Sequence, residues 1–433
     1  MSRRVNHDVI TEVKPDSLIN SYDDFKVILT TVNSNSIDIS SNVITVEIYE
    51  SIDSPYLNAT LTMMDDSGLI SGAPLIGQET IEIQFTKDSS KKQLFFKING
   101  FNNLEYLDDN IVHFDLELVS DIEMLNSTKA FSKAFSGSTT SIIEMIYDQY
   151  LKEKIEIIDK SADDISIVFP FIKPFQAIGK LLSQTFDKNG FPLFLFETLN
   201  GSSIKLISLA TLRSEKPKYT LSKSPILNTG DLGSSLRGAH KLRHKIHTLS
   251  LEDSYDTLKL IRTGSFSSRS EVADISQKTV YSNLFGYEGL SPLEYEYISP
   301  IHQISSPSIP PSKSFTSLIS ERRSNLKAYE RNSNYNTIQI NKINIMKSYY
   351  HRMDLVKINV ECDPIQSIES GDIINLIIPK NIPKISETDN DLFLSGKYMI
   401  HAINHRFHKG EYKMYIDLIG DSIGTEHTLG AVE

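Results

Sequence analysis

Between residues 23 and 125 the chain is a succession of short runs in which apolar and polar side chains alternate with a period of two. The runs are Lys26–Val32, Val43–Glu50, Leu57–Met63, Thr80–Phe85, Leu94–Ile98 and Val112–Val119, and the third alternates less strictly than the others. They are rich in β-branched and aromatic residues, and turn residues such as Asp65-Asp66-Ser67-Gly68 and Leu107-Asp108-Asp109-Asn110 separate them. A period of two sends successive side chains to opposite faces, so each run reads as a half-buried strand. Strands joined by turns, with no helix to make a crossover, pair antiparallel. The pattern predicts an antiparallel sandwich or barrel.

The same pattern returns near the end of the chain, at Val356–Val360, Ile373–Ile378, Tyr398–Ile403 and Tyr412–Leu418. Two stretches agree in detail: Leu116-Glu117-Leu118-Val119-Ser120-Asp121 echoes Ile416-Asp417-Leu418-Ile419-Gly420-Asp421. Upstream, Phe96-Lys97-Ile98-Asn99-Gly100-Phe101-Asn102 echoes Tyr398-Met399-Ile400-His401-Ala402-Ile403-Asn404, and further upstream Gly77 and Gly371 each open an apolar strand. Landmarks in one order at similar spacing suggest one barrel built twice, against the alternative that any two β hairpins share such loose patterns. Three chains with two equivalent barrels each can form a ring of six similar positions. Such a ring can join a threefold object to a sixfold one, which is an interface role and not a chemical one.

Between the echoes the composition shifts. Ser141-Ile142-Ile143-Glu144 has the form of a capping box, with Ile142, Met145, Ile146 and Tyr150 on one helical face. Pro174 suits the first turn of a second helix through Ala177, Ile178, Leu181 and Leu182. Phe191–Phe196 and Ile204–Leu209 read as strands. Residues 216–240 look like a connection, Lys245–His247 and Leu258–Ile261 give strand signals, residues 263–315 read as an extended insertion with little regular structure, and Leu318 to about Met346 has partial helical character. The expected fold is mainly β with α+β insertions: two similar antiparallel β-barrels, an α+β domain and an extended insertion. Its expected order is an arm at 1–22, the first barrel at 23–125, the α+β domain with its linker at 126–240, the start of the second barrel at 241–275, the insertion with its helix at 276–344, the rest of the second barrel at 345–423 and a tail at 424–433.

Composition excludes several classes. With 44 basic and 55 acidic side chains the formal net charge is −11, which argues against a general nucleic-acid binder with a basic face. One cysteine, Cys362, rules out an intrachain disulfide framework and a multi-cysteine zinc site. No apolar run reaches the ~18 residues of a membrane span, and none follows Arg3-Arg4 as a secretory signal would require. A soluble, multidomain protein made in a reducing compartment is expected.

Candidate chemistry is sparse. His240, His244 and His247 share a spacing with His401, His405 and His408 that would place three rings on one face of a helix. The second set, however, lies on strand and turn, and Lys241, Arg243 and Lys245 surround the first with opposing charge. The pairs Asp65-Asp66, Asp108-Asp109 and Asp163-Asp164 sit beside turn signals, whereas a glycosidase needs carboxyls facing across a cleft. Catalytic serine, phosphate-loop, zinc-protease and dinucleotide motifs are absent. Cys362 reads as a half-buried structural thiol. The aromatics of Phe285-Gly286-Tyr287 and Tyr295-Glu296-Tyr297 suit either an interface or ordinary loop packing, and Glu321-Arg322-Arg323 either an acidic partner or a solvated face. No catalytic, cofactor-binding or metal-binding residue is assigned.

With these residues in hand, the chain resembles the central baseplate hub proteins of contractile-tailed bacteriophages. Val46–Leu57, Pro74–Glu79, Ser370–Ile374 and Ser395–Asp421 carry the resemblance, which is strongest over about 25–125 and 355–423 and thin over 263–345. The hub half of type VI secretion spike proteins is related. The resemblance implies a non-enzymatic homotrimer without cofactors, whose barrels form a pseudo-sixfold ring between the sixfold tail tube and the threefold central spike. It implies as partners a central spike protein, expected as a separate chain, together with tube-initiator, baseplate wedge and tape-measure proteins. The genome would pass without specific binding, and a net acidic wall would not trap it. The expected location is the virion tail baseplate, assembled in the host cytoplasm without membrane insertion. A tail-associated cell-wall hydrolase and a receptor-binding tail protein are the alternatives, the latter weakened by the absence of Trp.

Overall fold

Thirteen strands join in one continuous sheet. The structure, a computed structural model, describes residues 23–72, 75–87, 90–108, 111–162, 164–201, 203–223, 243–254, 256–274, 279–286, 313–319, 335–365, 367–379, 391 and 393–421. The expected arm at 1–22 and tail at 424–433 lie outside them.

The first half comprises β1 (Asp23–Thr30), β2 (Ser36–Asp38), β3 (Val43–Ser51), β4 (Asn58–Asp65), a single turn of helix α1 (Leu69–Gly72), β5 (Thr80–Lys87), β6 (Ser90–Asp108) and β7 (Ile111–Val119). The six runs of the alternation are all strands, but β6 is far longer than Leu94–Ile98 and the short β2 corresponds to none of them. Their inward residues, among them Val46, Ile48, Leu61, Ile81, Ile83, Phe114 and Leu116, are buried in one core.

An α+β unit follows: α2 (Asp121–Thr128), β8 (Phe131–Ser138), α3 (Thr139–Ile146), β9 (Ile155–Ile157), β10 (Asp164–Ile172), α4 (Pro174–Leu182), β11 (Leu193–Phe196), β12 (Ile204–Ser208) and α5 (Leu209–Ser214). Pro174 opens α4 as expected, and Ala177, Ile178 and Leu181 are buried. The cap of α3 lies elsewhere than the sequence suggested. Ser138, not Ser141, caps α3, its hydroxyl accepting from the Ser141 N–H at 3.2 Å.

The second half contains β13 (Tyr219–Ser222), β14 (Arg243–Ser254), α6 (Thr257–Thr263), β15 (Ser267–Asp274), β16 (Thr279–Gly286), β17 (Lys313–Ile319), α7 (Tyr335–Arg352), β18 (Val356–Cys362), β19 (Ile373–Ile377), β20 (Gly396–His408) and β21 (Glu411–Gly420). Four expectations need correction. The supposed connection carries β13, only four residues long and so without a readable period. Leu258–Ile261 lies in helix α6, because Asp256 caps its N-terminus through the Lys259 N–H at 2.8 Å and Gly264 ends it at φ 78°. The insertion carries a three-stranded sheet, β16-β15-β17, whose serine-rich strands hide the apolar alternation. Leu318 belongs to β17, and the helix is described over Tyr335–Arg352, with residues 320–334 outside the described residues.

Strands β13-β14-β18-β21-β20-β19 form a closed ring, because β19 pairs with both β20 and β13. The closure is not purely antiparallel, since β13 runs parallel to both of its neighbours. In the first half the order β3-β4-β7-β6-β5-β1-β2 leaves the ring open. The β1–β2 pairing continues into the segment that leads to β3, where the Val27 N–H donates to Ser40 Oγ at 2.9 Å and the Ile39 N–H to the Val27 carbonyl at 3.0 Å.

Five strands correspond between the halves. In chain order β3, β4, β5, β6 and β7 match β14, β18, β19, β20 and β21, and both sets pair antiparallel in the same spatial order. Ladder registers agree as well. Ile98 faces Leu118 and, after a bulge, Gly100 faces Glu117; Ile400 faces Leu418 and, after a bulge at the same place, Ala402 faces Asp417. One landmark of the sequence echo shifts by a residue. Glu79 and Asp372 are the true equivalents, their carbonyls accepting from the Ile98 and Ile400 N–H groups at 3.2 and 2.9 Å.

Candidate functional site

The halves are welded by one strand. On one edge β20 pairs with β21; on the other, Gly396–Met399 pair with β19 and Ala402–His408 pair with β3. The transfer occurs at the bulge, where the His401 carbonyl accepts from the Ile52 N–H at 3.0 Å. Beyond it the inward residues Ile403, His405 and Phe407 are at most 2 % exposed. Phe407 stacks on Tyr412 at 4.3 Å between centroids and meets Phe25 and Phe85 of the first half at 5.6 and 4.8 Å. His405 Nδ1 and the Tyr412 hydroxyl are hydrogen-bonded at 2.8 Å, and burial pushes that phenol far above its ordinary range. On the outer side Arg406 pairs with Glu47 at 3.3 Å.

Beside this seam three regions meet. Glu50, buried at the end of β3, accepts from the Leu199 N–H of the α+β unit at 2.5 Å and from the Ser370 N–H of the second half at 2.8 Å. Arg213 of α5 forms a buried ion pair with Asp421 at 3.0 Å. Between them Gly371 adopts φ +92°, and a Cβ there would lie 3.0 Å from Leu212 and 3.2 Å from Phe196, so the approach requires glycine. Ile52, Phe191, Phe196, Leu212, Tyr349, Met353 and Met399 pack into a shared apolar cluster. Polar groups buried this deeply are costly unless paired, and the pairing here fixes the halves and the α+β unit against one another.

The residues singled out in the sequence scatter. His240 lies outside the described residues. His244 meets the Tyr219 ring edge-on at 5.6 Å, and His247 pairs with Asp363 at 2.5 Å. On β20, His401 pairs with Asp53 at 2.9 Å, His405 with Tyr412, and His408 Nδ1 with Thr45 Oγ1 at 2.8 Å. Among the described residues no three His, Cys, Asp or Glu side chains gather as metal ligands. Asp65 makes a turn, its Oδ1 accepting from the Ser67 and Leu69 N–H groups at 3.1 and 3.0 Å. Asp108 ends β6 and Asp164 begins β10, while Asp109 and Asp163 lie outside the described residues. Cys362, expected half-buried, is fully buried at the end of β18. Phe285 and Gly286 end β16; Tyr287, Tyr295–Tyr297 and Glu321–Arg323 are outside the described residues. A cavity of ≈ 170 Å³ beside the seam, lined by Asp53, Tyr350, Asp354, Lys357 and His401, is smaller than the ~300 Å³ of a small-molecule pocket.

Sequence reasoning missed Glu50, Arg213 and the transfer of β20. A signal for Glu50 was present: it continues the inward series Val46, Ile48, where a solvated residue has no place. The other two depend on partners more than 200 residues away along the chain.

No family model matches the chain. It is 21% identical over 412 residues to a probable baseplate hub protein of Vibrio phage KVP40, covering 89% of this chain and 91% of that one. A tail protein from Neisseria meningitidis shares the fold, with a TM-score of 0.53 at 10% identity, covering 92% of this chain and 98% of that one. A 43 kDa tail protein of a Shewanella oneidensis prophage aligns with a TM-score of 0.49 at 9% identity, covering 92% and 99%. The KVP40 protein is of the kind that the sequence motifs resemble. Among the described residues no helix is long and apolar enough to cross a membrane.

Proposed function

We propose that the chain is the structural baseplate hub of a contractile phage tail and has no enzymatic role. Three copies surround the tail axis, their halves alternate in a pseudo-sixfold ring, and the ring adapts the sixfold tube to the threefold central spike. The central spike, the tube-initiator and wedge proteins and the tape-measure protein are its partners, and the ring lines the path of the genome. Each half is a domain in this reading, with the α+β unit and the insertion lying outside the ring.

One observation carries the reading: five strands recur in the same order, with the same bulge, and the two sets are fused edge to edge. A chain that presents one module twice supplies two near-equivalent positions, so a threefold assembly acquires six. Similarity over most of the chain to a protein named as a probable baseplate hub supports the role.

The test is light scattering of the purified chain alone and with its cognate spike protein, followed by reconstruction of the tail that contains it. A trimer, formed alone or on adding the spike and centred on the tail axis, is expected. A stable monomer that ignores the spike overturns the proposal.

A further inference from the structure

The α+β unit carries a two-stranded ribbon of which the core uses only one face. Strands β8 and β10 pair antiparallel, and Phe131, Phe135, Phe169 and Ile172 enter the core of the unit. There the three rings meet edge-on, with centroids 5.9, 6.0 and 6.1 Å apart. On the opposite face Ser132, Ala134, Ser136 and Val168 are exposed.

Near its end β10 gains one residue. Phe169 faces Lys133 and Ile172 faces Phe131, so Pro170 and Phe171 together oppose Ser132. An unbroken register would set Phe171 opposite Phe131, on the core face. The bulge gives that place to Ile172 and turns Phe171 outward, where its ring is 81 % exposed. Its backbone sits at φ +35°, a conformation costly for a bulky L-residue. Pro170 brings no N–H to the ladder, and the Phe171 N–H donates to Ser132 Oγ at 2.8 Å. Strain that the surrounding structure maintains, at a ring that buries almost nothing, points to a use for that ring outside the chain.

The charges around Phe171 have one sign. Lys133 lies across from Phe169, Lys173 two residues past Phe171, and Lys129 two residues before Phe131. All three are exposed, and none pairs with a carboxylate among the described residues; Lys133 is held instead by Gln149 Oε1 at 2.7 Å. Lys173 stands at the N-cap of α4, where the helix dipole already disfavours a cation. A chain of net charge −11 thus gathers positive charge where it displays a strained aromatic. We propose that this corner docks an acidic segment of a different polypeptide. An apolar cup in that segment closes over Phe171 and Val168, and carboxylates on its rim meet Lys129, Lys133 and Lys173. Ser132, Ala134 and Ser136, small and uncharged, let its backbone lie close to the ribbon. A buried aromatic anchor within a polar rim is the anatomy of a specific protein contact. The corner is remote in sequence from the seam, and takes from the hub reading only the assembly in which the partner is met.

The test places the photo-crosslinker p-benzoylphenylalanine at position 171 of the full chain, in cells that make it together with its partners. After irradiation the link is mapped by mass spectrometry. A link to a different polypeptide is expected, within a segment whose acidic residues outnumber its basic ones. Its yield is expected to fall at least tenfold when Lys129, Lys133 and Lys173 are all changed to Glu. No link, a link only to this chain or a second copy of it, a basic segment, or a yield indifferent to the lysines overturns the proposal. The symmetry of the chain in purified tails tests the hub reading separately, so either can fail while the other stands. As a second readout, Phe171→Gly relieves the backbone, and the denaturation midpoint of the isolated chain is expected to hold or rise. A lower midpoint shows that the ring serves the fold, and overturns the proposal. Sedimentation of the chain with phosphatidylglycerol vesicles, abolished by Phe171→Gly, assigns the corner to a membrane and overturns it as well.

Discussion

The two halves are built on one plan and finished differently. Both lay five antiparallel strands in the same order with the same bulge, yet the second closes into a ring and the first does not. The sixth strand makes the difference. In the second half β13 runs parallel to β14 and β19 and bridges them, while in the first β1 runs antiparallel to β5 and turns into the short β2. A five-strand plan therefore leaves closure undetermined, and one added strand decides it. Equivalent positions also face different surroundings, which makes them matched pairs for experiment.

The largest contrast is expected at Asp421 and Asp121, which end the echoed strands. Asp421 is buried against Arg213, whereas Asp121 is exposed in the first turn of α2. Removing one partner of a buried pair costs about 3–5 kcal/mol, so Asp421→Asn lowers the denaturation midpoint steeply. Asp121→Asn loses only a helix-dipole contribution of about 0.3–1 kcal/mol. Equal losses would show that the ion pair holds nothing together.

A contrast of comparable size separates Glu50 from its equivalent Ser254. Glu50→Ala strands the Leu199 and Ser370 N–H groups, each at about 1–3 kcal/mol. Ser254→Ala, at an exposed position, stays within ~0.5 kcal/mol by the same denaturation measurement.

The smallest contrast is one of sign. Burial pushes the Asp372 carboxyl up to about 6, against the pull of Lys218. Its contribution to stability is complete below its ordinary value of 3.8 and is lost as pH rises through about 6. Burial also opposes ionisation of Glu79, but bonds from the Ile76, Gly77 and Gln78 N–H groups outweigh it and hold the carboxyl below its ordinary value of 4.5. Its contribution is present above that value and is lost as pH falls. Denaturation between pH 3 and 7 is expected to show Asp372→Asn gaining on the parent as pH rises and Glu79→Gln falling behind it. Parallel slopes would break the contrast.

Strand positions were legible because a half-buried antiparallel strand prints its period into the sequence, as Val43–Ser51 and Thr80–Lys87 do. The repeat was legible for the same reason, and its one-residue slip at Gly77 and Gly371 came from aligning glycines where the ladder aligns Glu79 with Asp372. Illegible were elements too short or too polar to carry a period, namely β13 and the serine-rich β15. The seam was hidden as well. Nothing local to Ala402–His408 distinguishes a strand that stays in its own barrel from one that crosses to another, since the deciding partner, Thr45–Ser51, is remote.

A strand shared by both halves is also a mechanical element. No linker separates the halves along the seam, and rotation between them would have to shear the ladder between Ala402–His408 and Thr45–Ser51 all at once. The pair therefore behaves as a rigid arc with its bend angle built in, and load applied at one end reaches the other through backbone bonds without a joint to absorb it.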